Sequence, residues 1–324
     1  MSTEAPVTAP ARVTVIGDAL IDELRDPRGA REFVGGAALN VAVGLALLGE
    51  DVTLVAMLGD DEPATRIRSF LRDYGVRLVE SPSEHGTSRA VSDRTDGEPR
   101  YEFNEAAQRR SIRFDDATRA AIDEADLVVV SCFPFDDAEQ AAELRAAIAR
   151  PGERLAIDGN PRAGMLHDRE AFLANFTAAA RDAMLVKVGD EDAELLLGAP
   201  LAEFVEQLRA PSTREAESGA ASDAAPARTP AVLATAGREG AELHAGDAAV
   251  HAGIVDLPGA VVDTMGAGDA TLSAVVHHLA VHGVPSDASD WAAALESAMA
   301  IAAATVRHEG ALLRVPAHPS EGGS

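Results

Sequence analysis

The chain has 324 residues and a formal net charge of −25 at pH 7. Such a charge repels phosphate groups, which argues against nucleic acids and anionic membranes as partners. Hydrophobic residues make up 47% of the chain but aromatic residues only 4%, so we expect a large core built from Ala, Val and Leu. A single cysteine, Cys132, excludes an internal disulfide and fits a reducing compartment.

The sequence predicts neither a secretory signal nor a membrane-spanning helix. Residues 1–12 lack the basic and apolar regions of a secretory signal. No uncharged apolar run reaches the roughly 18 residues of a membrane-spanning helix. We therefore expect a cytoplasmic protein. Residues 1–11, 211–230 and 318–324 are polar or Ala-rich without periodicity, and we predict that they are flexible.

The first strand and helix predict a buried unit. Residues 12–17 form an apolar run typical of a buried strand, and residues 35–48 follow as a helix. That helix opens on Gly35 and Gly36, carries Asn40 one turn in and is otherwise apolar on every face. A helix that is apolar all round is buried, so Asn40 needs a partner inside the protein or in a ligand.

Strands and helices alternate along the rest of the chain. Further apolar runs predict strands at residues 52–57, 127–131, 155–158, 184–188 and 232–235. Ile67, Phe70, Leu71 and Tyr74 share one face of a predicted helix that ends at Gly75. Repeated strand–helix units imply an α/β fold with a mostly parallel sheet and helices on both faces. Ligands of such sheets bind at the carboxyl ends of the strands.

Two segments interrupt this alternation. Residues 22–34 are too polar for a core element. Residues 87–103 alternate in polarity around Asp96-Gly97, which is a hairpin signal.

The stretch from Asp263 to Asp269 reads Asp-Thr-Met-Gly-Ala-Gly-Asp and precedes an apolar helical run. At a helix start, Gly266 and Gly268 would present unhindered N–H groups to an anion. Asp269 stands within reach of the same point and could accept a proton. Phosphoryl transfer to an alcohol needs little more than positioning, charge neutralisation and a base. The alternative is a glycine-rich helix start capped by Asp269.

Together the two glycine-rich stretches resemble the two signatures of the ribokinase-like (PfkB) carbohydrate kinase family. Further matches, in family order, are Gly17-Asp18-Ala19-Leu20-Ile21-Asp22, Thr87-Ser88-Arg89-Ala90, Asp96-Gly97-Glu98, Asp158-Gly159-Asn160-Pro161-Arg162, Lys187-Val188 and Glu309-Gly310-Ala311. The resemblance implies one kinase domain over residues 12–315 with a Rossmann-like three-layer ribokinase fold. It also implies a small β-sheet lid, formed by residues 22–34 and 87–104 and able to pair in a homodimer.

The resemblance assigns roles residue by residue. It implies that Asp269 is the catalytic base and that Gly266, Ala267 and Gly268 form the anion hole. The sugar-binding positions are Asp22, Gly35, Gly36, Asn40 and Arg162, and the nucleotide-binding positions are Lys187, Thr235, Gly237, Gly240 and Met299. Asp263 is implied to help bind a monovalent cation near residues 309–311, and Asp192 to hold Mg²⁺ through water. From the residues alone, Asp22 could be a surface-turn residue, Asn40 could bond a neighbouring loop and Arg162 could form a structural ion pair.

Two departures from the family pattern bear on the substrate. Gly189 stands where Asn is usual and Asp192 where Glu is usual, so the water-mediated Mg²⁺ network would use a shorter carboxylate. Fructokinase-like members are similar in this segment and at Asp158-Gly159-Asn160-Pro161-Arg162. Met299 replaces a frequent Asn near the adenine, which suggests apolar packing on the base.

These observations predict an ATP- and Mg²⁺-dependent sugar kinase, with K⁺ as a further cofactor. Fructose is the first expected substrate, followed by ribose and 2-keto-3-deoxygluconate. A nucleoside kinase of the same family and a sugar-binding regulator without catalysis are the alternatives. A dinucleotide-dependent oxidoreductase would need G-x-G-x-x-G after the first strand, which this chain lacks.

Overall fold

The computed structural model describes residues 9–93, 100–148, 154–210 and 229–316. The predicted hairpin turn at Asp96-Gly97 and most of the three segments predicted to be flexible lie outside these ranges.

The described residues form thirteen strands and ten α-helices. The strands are β1 Arg12–Gly17, β2 Leu20–Asp26, β3 Gly29–Gly35, β4 Asp51–Leu58, β5 Arg77–Pro82, β6 Ser88–Asp93, β7 Arg100–Phe103, β8 Leu127–Ser131, β9 Leu155–Asp158, β10 Leu185–Gly189, β11 Ala231–Thr235, β12 Ala241–Ala245 and β13 Ala248–Ala252. The helices are α1 Ala37–Leu47, α2 Glu62–Asp73, α3 Glu105–Gln108, α4 Asp116–Glu124, α5 Ala138–Ala147, α6 Arg169–Ala180, α7 Asp190–Leu197, α8 Leu201–Arg209, α9 Ala267–His282 and α10 Ala288–Thr305. Each predicted strand is present, with ends within one residue of the expectation.

The larger sheet has nine strands in the order β13-β12-β11-β10-β9-β8-β1-β4-β5. All neighbours pair in parallel except β11 with β12 and β12 with β13. This confirms the predicted α/β class with a mostly parallel sheet. The antiparallel hairpin of β12 and β13 was not predicted, because its Ala-rich strands give a weak apolar signal.

Helices cover both faces of the large sheet. Val13 and Val15 of β1 point into a core shared with α1, α2, α9 and α10. Ile16 points to the opposite face, where it packs in a core shared with α4 to α8. Burial on both faces explains why the parallel strands read as continuous apolar runs.

Phenylalanine contributes more to the core than the composition suggested. Phe133, Phe135, Phe172, Phe176 and Phe204 are fully buried on the α4-to-α8 face. The ring centroid of Phe135 lies 5.2 Å from that of Phe133 and 5.5 Å from that of Phe172. Ala, Val and Leu together make up most of the core on both faces, as predicted, and the phenylalanines are added to them on the α4-to-α8 face.

The smaller sheet is the lid that the family resemblance implied. Its four strands follow the order β3-β2-β6-β7. Asp22 on β2 pairs with Phe33 on β3 and Ala90 on β6, so these side chains share one face. The other face carries charges, with Arg89 donating 2.9 Å to Glu23. The lid thus turns Leu24, Phe33 and Ala90 to the same face as Asp22, and that face also carries the ion pair of Asp26 with Arg31.

Within the part of the chain that the structure describes, no helix has both the length and the apolar character needed to cross a membrane.

Candidate active site

A polar row crosses the carboxyl ends of four neighbouring strands. On the face of the sheet that packs against α1 and α9, four residues lie in register near these strand ends. They are Gly17 on β1, Ser131 on β8, Asp158 on β9 and Lys187 on β10. Helices α1 and α9 begin at this same edge. A ligand site is expected at the carboxyl ends of the strands, and these four residues lie at the bottom of it. We call this row the floor of the site.

Lys187 and Asp158 form a buried ion pair on this floor. Lys187 Nζ donates to Asp158 Oδ2 at 2.8 Å, and the two residues are only 6% and 0% exposed. Burial lowers the pKa of Lys187, but the carboxylates of Asp158 and Asp192 outweigh this, so the pKa lies above its ordinary value. The ammonium therefore stays charged below the start of α9.

The start of α9 holds the three residues of the predicted anion hole, Gly266, Ala267 and Gly268. Gly266 has φ 78°, and a Cβ there would lie 2.4 Å from the carbonyl oxygen of Ala311. A Cβ at Gly268 would lie 3.1 Å from Cε and 3.4 Å from Nζ of Lys187. In the described residues, no side chain accepts a hydrogen bond from the first-turn amides of α9. The N–H of Ala267 donates 3.3 Å to the carbonyl of Thr264, and the following amides of this turn, together with the Lys187 ammonium, leave room for an anion.

Asp269 lies in the first turn of α9 and is half-buried. Its Oδ2 accepts a hydrogen bond of 2.9 Å from Asn40 Nδ2 on α1. Burial raises the pKa of Asp269 to about 6, although Asn40 and Lys187 favour its charged form. Such a carboxylate is ionised at neutral pH and is a stronger base than an ordinary Asp.

The start of α1 is closed, in contrast to the open start of α9. Asp18 Oδ1 accepts 3.0 Å from the backbone N–H of Ala38, and the Asp18 carbonyl accepts 3.2 Å from that of Leu39. Gly36 has φ 108°, and a Cβ there would lie 2.9 Å from the Asp18 carbonyl. The sequence did not predict this role of Asp18. Its position directly after Gly17 at the end of the first strand was the signal available.

Asp22 reaches from the lid toward the start of α1. A Cβ at Gly35 would lie 2.2 Å from Asp22 Oδ2, so the glycine leaves space for this carboxylate. Burial and the neighbouring Asp18 carboxylate raise the pKa of Asp22 to about 7. Asp22 lines a small cavity under the lid together with Phe33 and Asp263.

Residues 309–311 form a strap between the lid and the anion hole. The N–H of Gly310 donates 3.3 Å to Asp263 Oδ2, while Asp263 Oδ1 accepts 3.1 Å from the N–H of Met265. Phe33 of the lid lies against Gly310, since a Cβ there would be 3.4 Å from its ring. Arg31 of the lid pairs with Glu309. The predicted cation ligand Asp263 thus braces the strap against the anion hole.

Backbone strain is concentrated beside the floor. Cys132 and Asn160, which follow β8 and β9, have φ of 52° and 41° and are the two non-glycine residues with positive φ among those described. The N–H of Asn160 donates 3.2 Å to Asp158 Oδ1. Arg162 follows with its side chain 43% exposed and 3.7 Å from Glu191. Its guanidinium stabilises the ionised forms of Asp22 and Asp269 across the site.

The nucleotide-binding positions implied by the resemblance are more scattered. Asp192 Oδ2 accepts 2.7 Å from the N–H of Gly189, and burial raises the pKa of Asp192 to about 6 despite the nearby Lys187. The Thr235 hydroxyl donates 3.4 Å to the carbonyl of Val188 on the adjacent strand.

The remaining three positions have packing constraints of their own. A Cβ at Gly237 would come within 3.8 Å of Asp190 Oδ2, near the start of α7. One at Gly240 would lie 2.2 Å from the carbonyl of Ala252, so the hairpin itself requires this glycine. Met299 is buried in the core between α10 and the large sheet.

Comparison with known proteins identifies the family of this chain. The family model for pfkB family carbohydrate kinases matches residues 6–318. A fructokinase from Salmonella typhimurium is 26% identical over 312 residues, which cover 94% of this chain and 96% of that protein.

Two solved structures share the fold over nearly their whole length. Fructokinase from Vibrio cholerae, determined with fructose, ADP and calcium, has a TM-score of 0.74 at 21% identity and covers 94% of this chain and 96% of its own. Aminoimidazole riboside kinase from Salmonella enterica has a TM-score of 0.65 at 22% identity, with coverage of 93% and 95%.

The family match spans nearly the entire chain, and the fold agrees with it. The protein therefore belongs to the pfkB family of carbohydrate kinases and is a sugar phosphotransferase.

Proposed function

We propose that this kinase transfers the γ-phosphoryl group of ATP to a sugar hydroxyl, with Asp269 as the general base. The observation that carries the proposal is the open start of α9, which has the Lys187 ammonium on one side and Asp269 in its first turn. Positive charge and a base thus meet at one point, as in-line phosphoryl transfer requires.

Each group has a defined part in the reaction. Ionised Asp269 accepts the proton of the attacking hydroxyl while the amides of Ala267 and Gly268 hold the phosphoryl oxygens. Lys187 neutralises part of the charge that accumulates on those oxygens. Asp269 becomes protonated as the pH falls below about 6, so we expect kcat to decrease in this acidic range.

The residues present fit Mg²⁺ and a monovalent cation. Mg²⁺ usually keeps several waters and binds through one or two carboxylates plus substrate phosphates, and Asp192 is the carboxylate that would hold it here. Bound Mg²⁺ would neutralise phosphate charge. Asp263 and the carbonyls of the strap would hold K⁺, which would add positive charge beside the anion hole.

Fructose is the substrate we propose first. The supporting observations are the fructokinase relatives and the carboxylate pair of Asp18 and Asp22 between the lid and α1, since carboxylates accept hydrogen bonds from sugar hydroxyls. Gly35 leaves the space that Asp22 occupies. We place the kinase domain at residues 12–315 and its action in the cytoplasm. Dimerisation through the lid stays a prediction.

The test is ADP release from Mg-ATP with fructose, ribose, 2-keto-3-deoxygluconate, inosine or adenosine, with and without K⁺. Turnover of fructose that Asp269→Asn lowers by about 10³-fold would support the proposal. Retained turnover in this variant would refute the role of Asp269.

A nucleoside kinase is the second candidate. It is favoured by the fold shared with aminoimidazole riboside kinase and by Tyr101, which is 56% exposed on the Asp22 face of the lid. Turnover of a nucleoside alone would replace the sugar proposal. A chain that binds fructose but turns over no substrate would be a regulator.

A further inference from the structure

The carboxamide of Asn40 joins helices α1 and α9 at the reaction centre. Asn40 is 8% exposed, and its Nδ2 donates 2.9 Å to Asp269 Oδ2. The two residues are 229 positions apart in the chain. Because an amide N–H can only donate and a carboxylate can only accept, this contact selects the ionised form and one orientation of the carboxyl group.

The same two helices meet again one turn further on. A Cβ at Gly44 would lie 2.7 Å from Ser273 Oγ, so only glycine permits this approach without displacement. Ser273 Oγ donates 2.7 Å to the carbonyl of Asp269 and lies 3.4 Å from that of Val41. Residues four apart share a helix face, so Gly44 stands below Asn40 and Ser273 below Asp269. The close contact at Gly44 therefore fixes how the two helices are aligned along their axes, and with it the position of Asn40 opposite Asp269.

We propose that Asn40 is a positioning residue for the catalytic base, and that the Gly44–Ser273 contact fixes the register of the two helices that brings it there. The inference rests on the proposed role of Asp269 as the base. It gives Asn40 a different task from the sugar contact that the family resemblance implied.

The electrostatics of Asp269 provide a readout. Lys187 from β10, Arg162 after β9 and the Asn40 amide favour its ionised form. Asp158 from β9 and Asp22 from the lid oppose it. Removal of the Asn40 donor therefore raises the pKa of Asp269 above about 6 and moves the acid limb of kcat to higher pH.

The experiment compares kcat and the sugar KM across pH 5 to 9 for wild type, Asn40→Ala and Asn40→Asp. A positioning role predicts that kcat falls about tenfold or more, that the sugar KM changes less than about threefold, and that the acid limb moves upward. Asn40→Asp keeps the size but places a second carboxylate beside Asp269, so its acid limb should move further.

A remote variant separates positioning from ligand contact. Gly44→Ala forces a Cβ toward Ser273 Oγ and should give a smaller version of the same kcat and pH change. Adding Ser273→Ala removes the 2.7 Å contact but leaves Cβ of residue 273 and Cδ1 of Leu313 at 3.1 Å, so it should restore part of the loss. Gly253→Ala is the matched control, because a Cβ there meets no atom within 4 Å.

The outcomes separate this inference from the proposed function. A sugar KM that rises in Asn40→Ala while the acid limb stays in place would show a sugar contact and overturn the inference. If the wild type turns over no sugar, the proposed function fails. In that case ¹³C NMR of the Asp carboxyl groups, assigned with Asp269→Asn, still decides: an upward pKa change of Asp269 in Asn40→Ala supports the inference, and an unchanged pKa rejects it.

Discussion

Helices α1 and α9 begin in the same way but differ in what accepts hydrogen bonds from their N-terminal amides. Both α1 and α9 begin at a glycine with positive φ that provides no side-chain cap, and each carries one polar side chain of the reaction centre in its first turns. The start of α1 is filled by Asp18, whose carboxylate and carbonyl accept its amides. In the described part of the protein, no side chain accepts a hydrogen bond from the first-turn amides of α9.

This difference identifies which helix start can hold an anion. A helix N-terminus attracts negative charge whatever its role, so glycine and position alone do not distinguish the two. At α1 the protein supplies that charge itself through Asp18, so the amides there are already occupied. At α9 the charge is left for a ligand, and Lys187 adds to the attraction.

Gly36→Ala should give the largest loss of stability, because the closed start depends on close packing. A Cβ at φ 108° would lie 2.9 Å from the Asp18 carbonyl. We expect the free energy of unfolding to fall by about 2 to 4 kcal/mol in urea titrations. Gly49→Ala is the control, since it has φ 107° with no atom within 4 Å and isolates the backbone strain. Equal losses in both variants would contradict the packing argument.

Gly268→Ala should leave the fold intact and damage the open start. Its Cβ would enter the space between α9 and Lys187, while alanine is favoured within a helix. We expect kcat/KM for ATP to fall about 100-fold with little change in urea unfolding. Gly253→Ala serves as the unhindered control. A loss of stability without a loss of activity would mean that the two helix starts do not differ in function.

Asp22→Asn tests the charge gathered at the closed start. The folded-state pKa of Asp22 is about 7 against an ordinary 3.8, so its ionisation costs stability as pH rises through this window. The amide should therefore stabilise the fold by about 1 to 3 kcal/mol at pH 8 and by much less at pH 4.5. Unfolding titrations at the two pH values measure this, and a gain independent of pH would contradict it.

Asp18→Ala should have the smallest effect, measured against Asp18→Asn. Both variants lack the charge, but the Asn side-chain oxygen can still accept from the Ala38 amide. We expect the alanine variant to be less stable by about 1 kcal/mol in urea unfolding. Equal stabilities would show that α1 does not need a side-chain acceptor.

Much of the fold was predictable because buried parallel strands leave a strong local signal. The runs at residues 12–17 and 127–131 match β1 and β8 in full, since burial on both faces requires continuous apolar residues. The hairpin of β12 and β13 was not predicted because each of its five-residue strands contains a single large apolar residue among alanines and polar residues. The phenylalanine cluster escaped because its rings come from distant helices and loops.

The sequence proposes the residues of the candidate site but does not predict their contacts. The glycines and Asp269 stand in one motif, so their proximity follows from the chain itself. The contact of Asn40 with Asp269 depends on how two helices pack, and nothing near Asn40 in the sequence reports it. Asp18 was likewise hidden, because the same residue type could face solvent or fill a helix start.

The strap at residues 309–311 has a thermodynamic consequence. It touches the lid through Phe33 and Arg31 and the anion hole through Gly266. A sugar that orders the lid should therefore also order the start of α9. Sugar and nucleotide should then each bind more tightly when the other is present. Because such coupling is reciprocal, the factor by which the sugar strengthens nucleotide binding must equal the factor by which the nucleotide strengthens sugar binding.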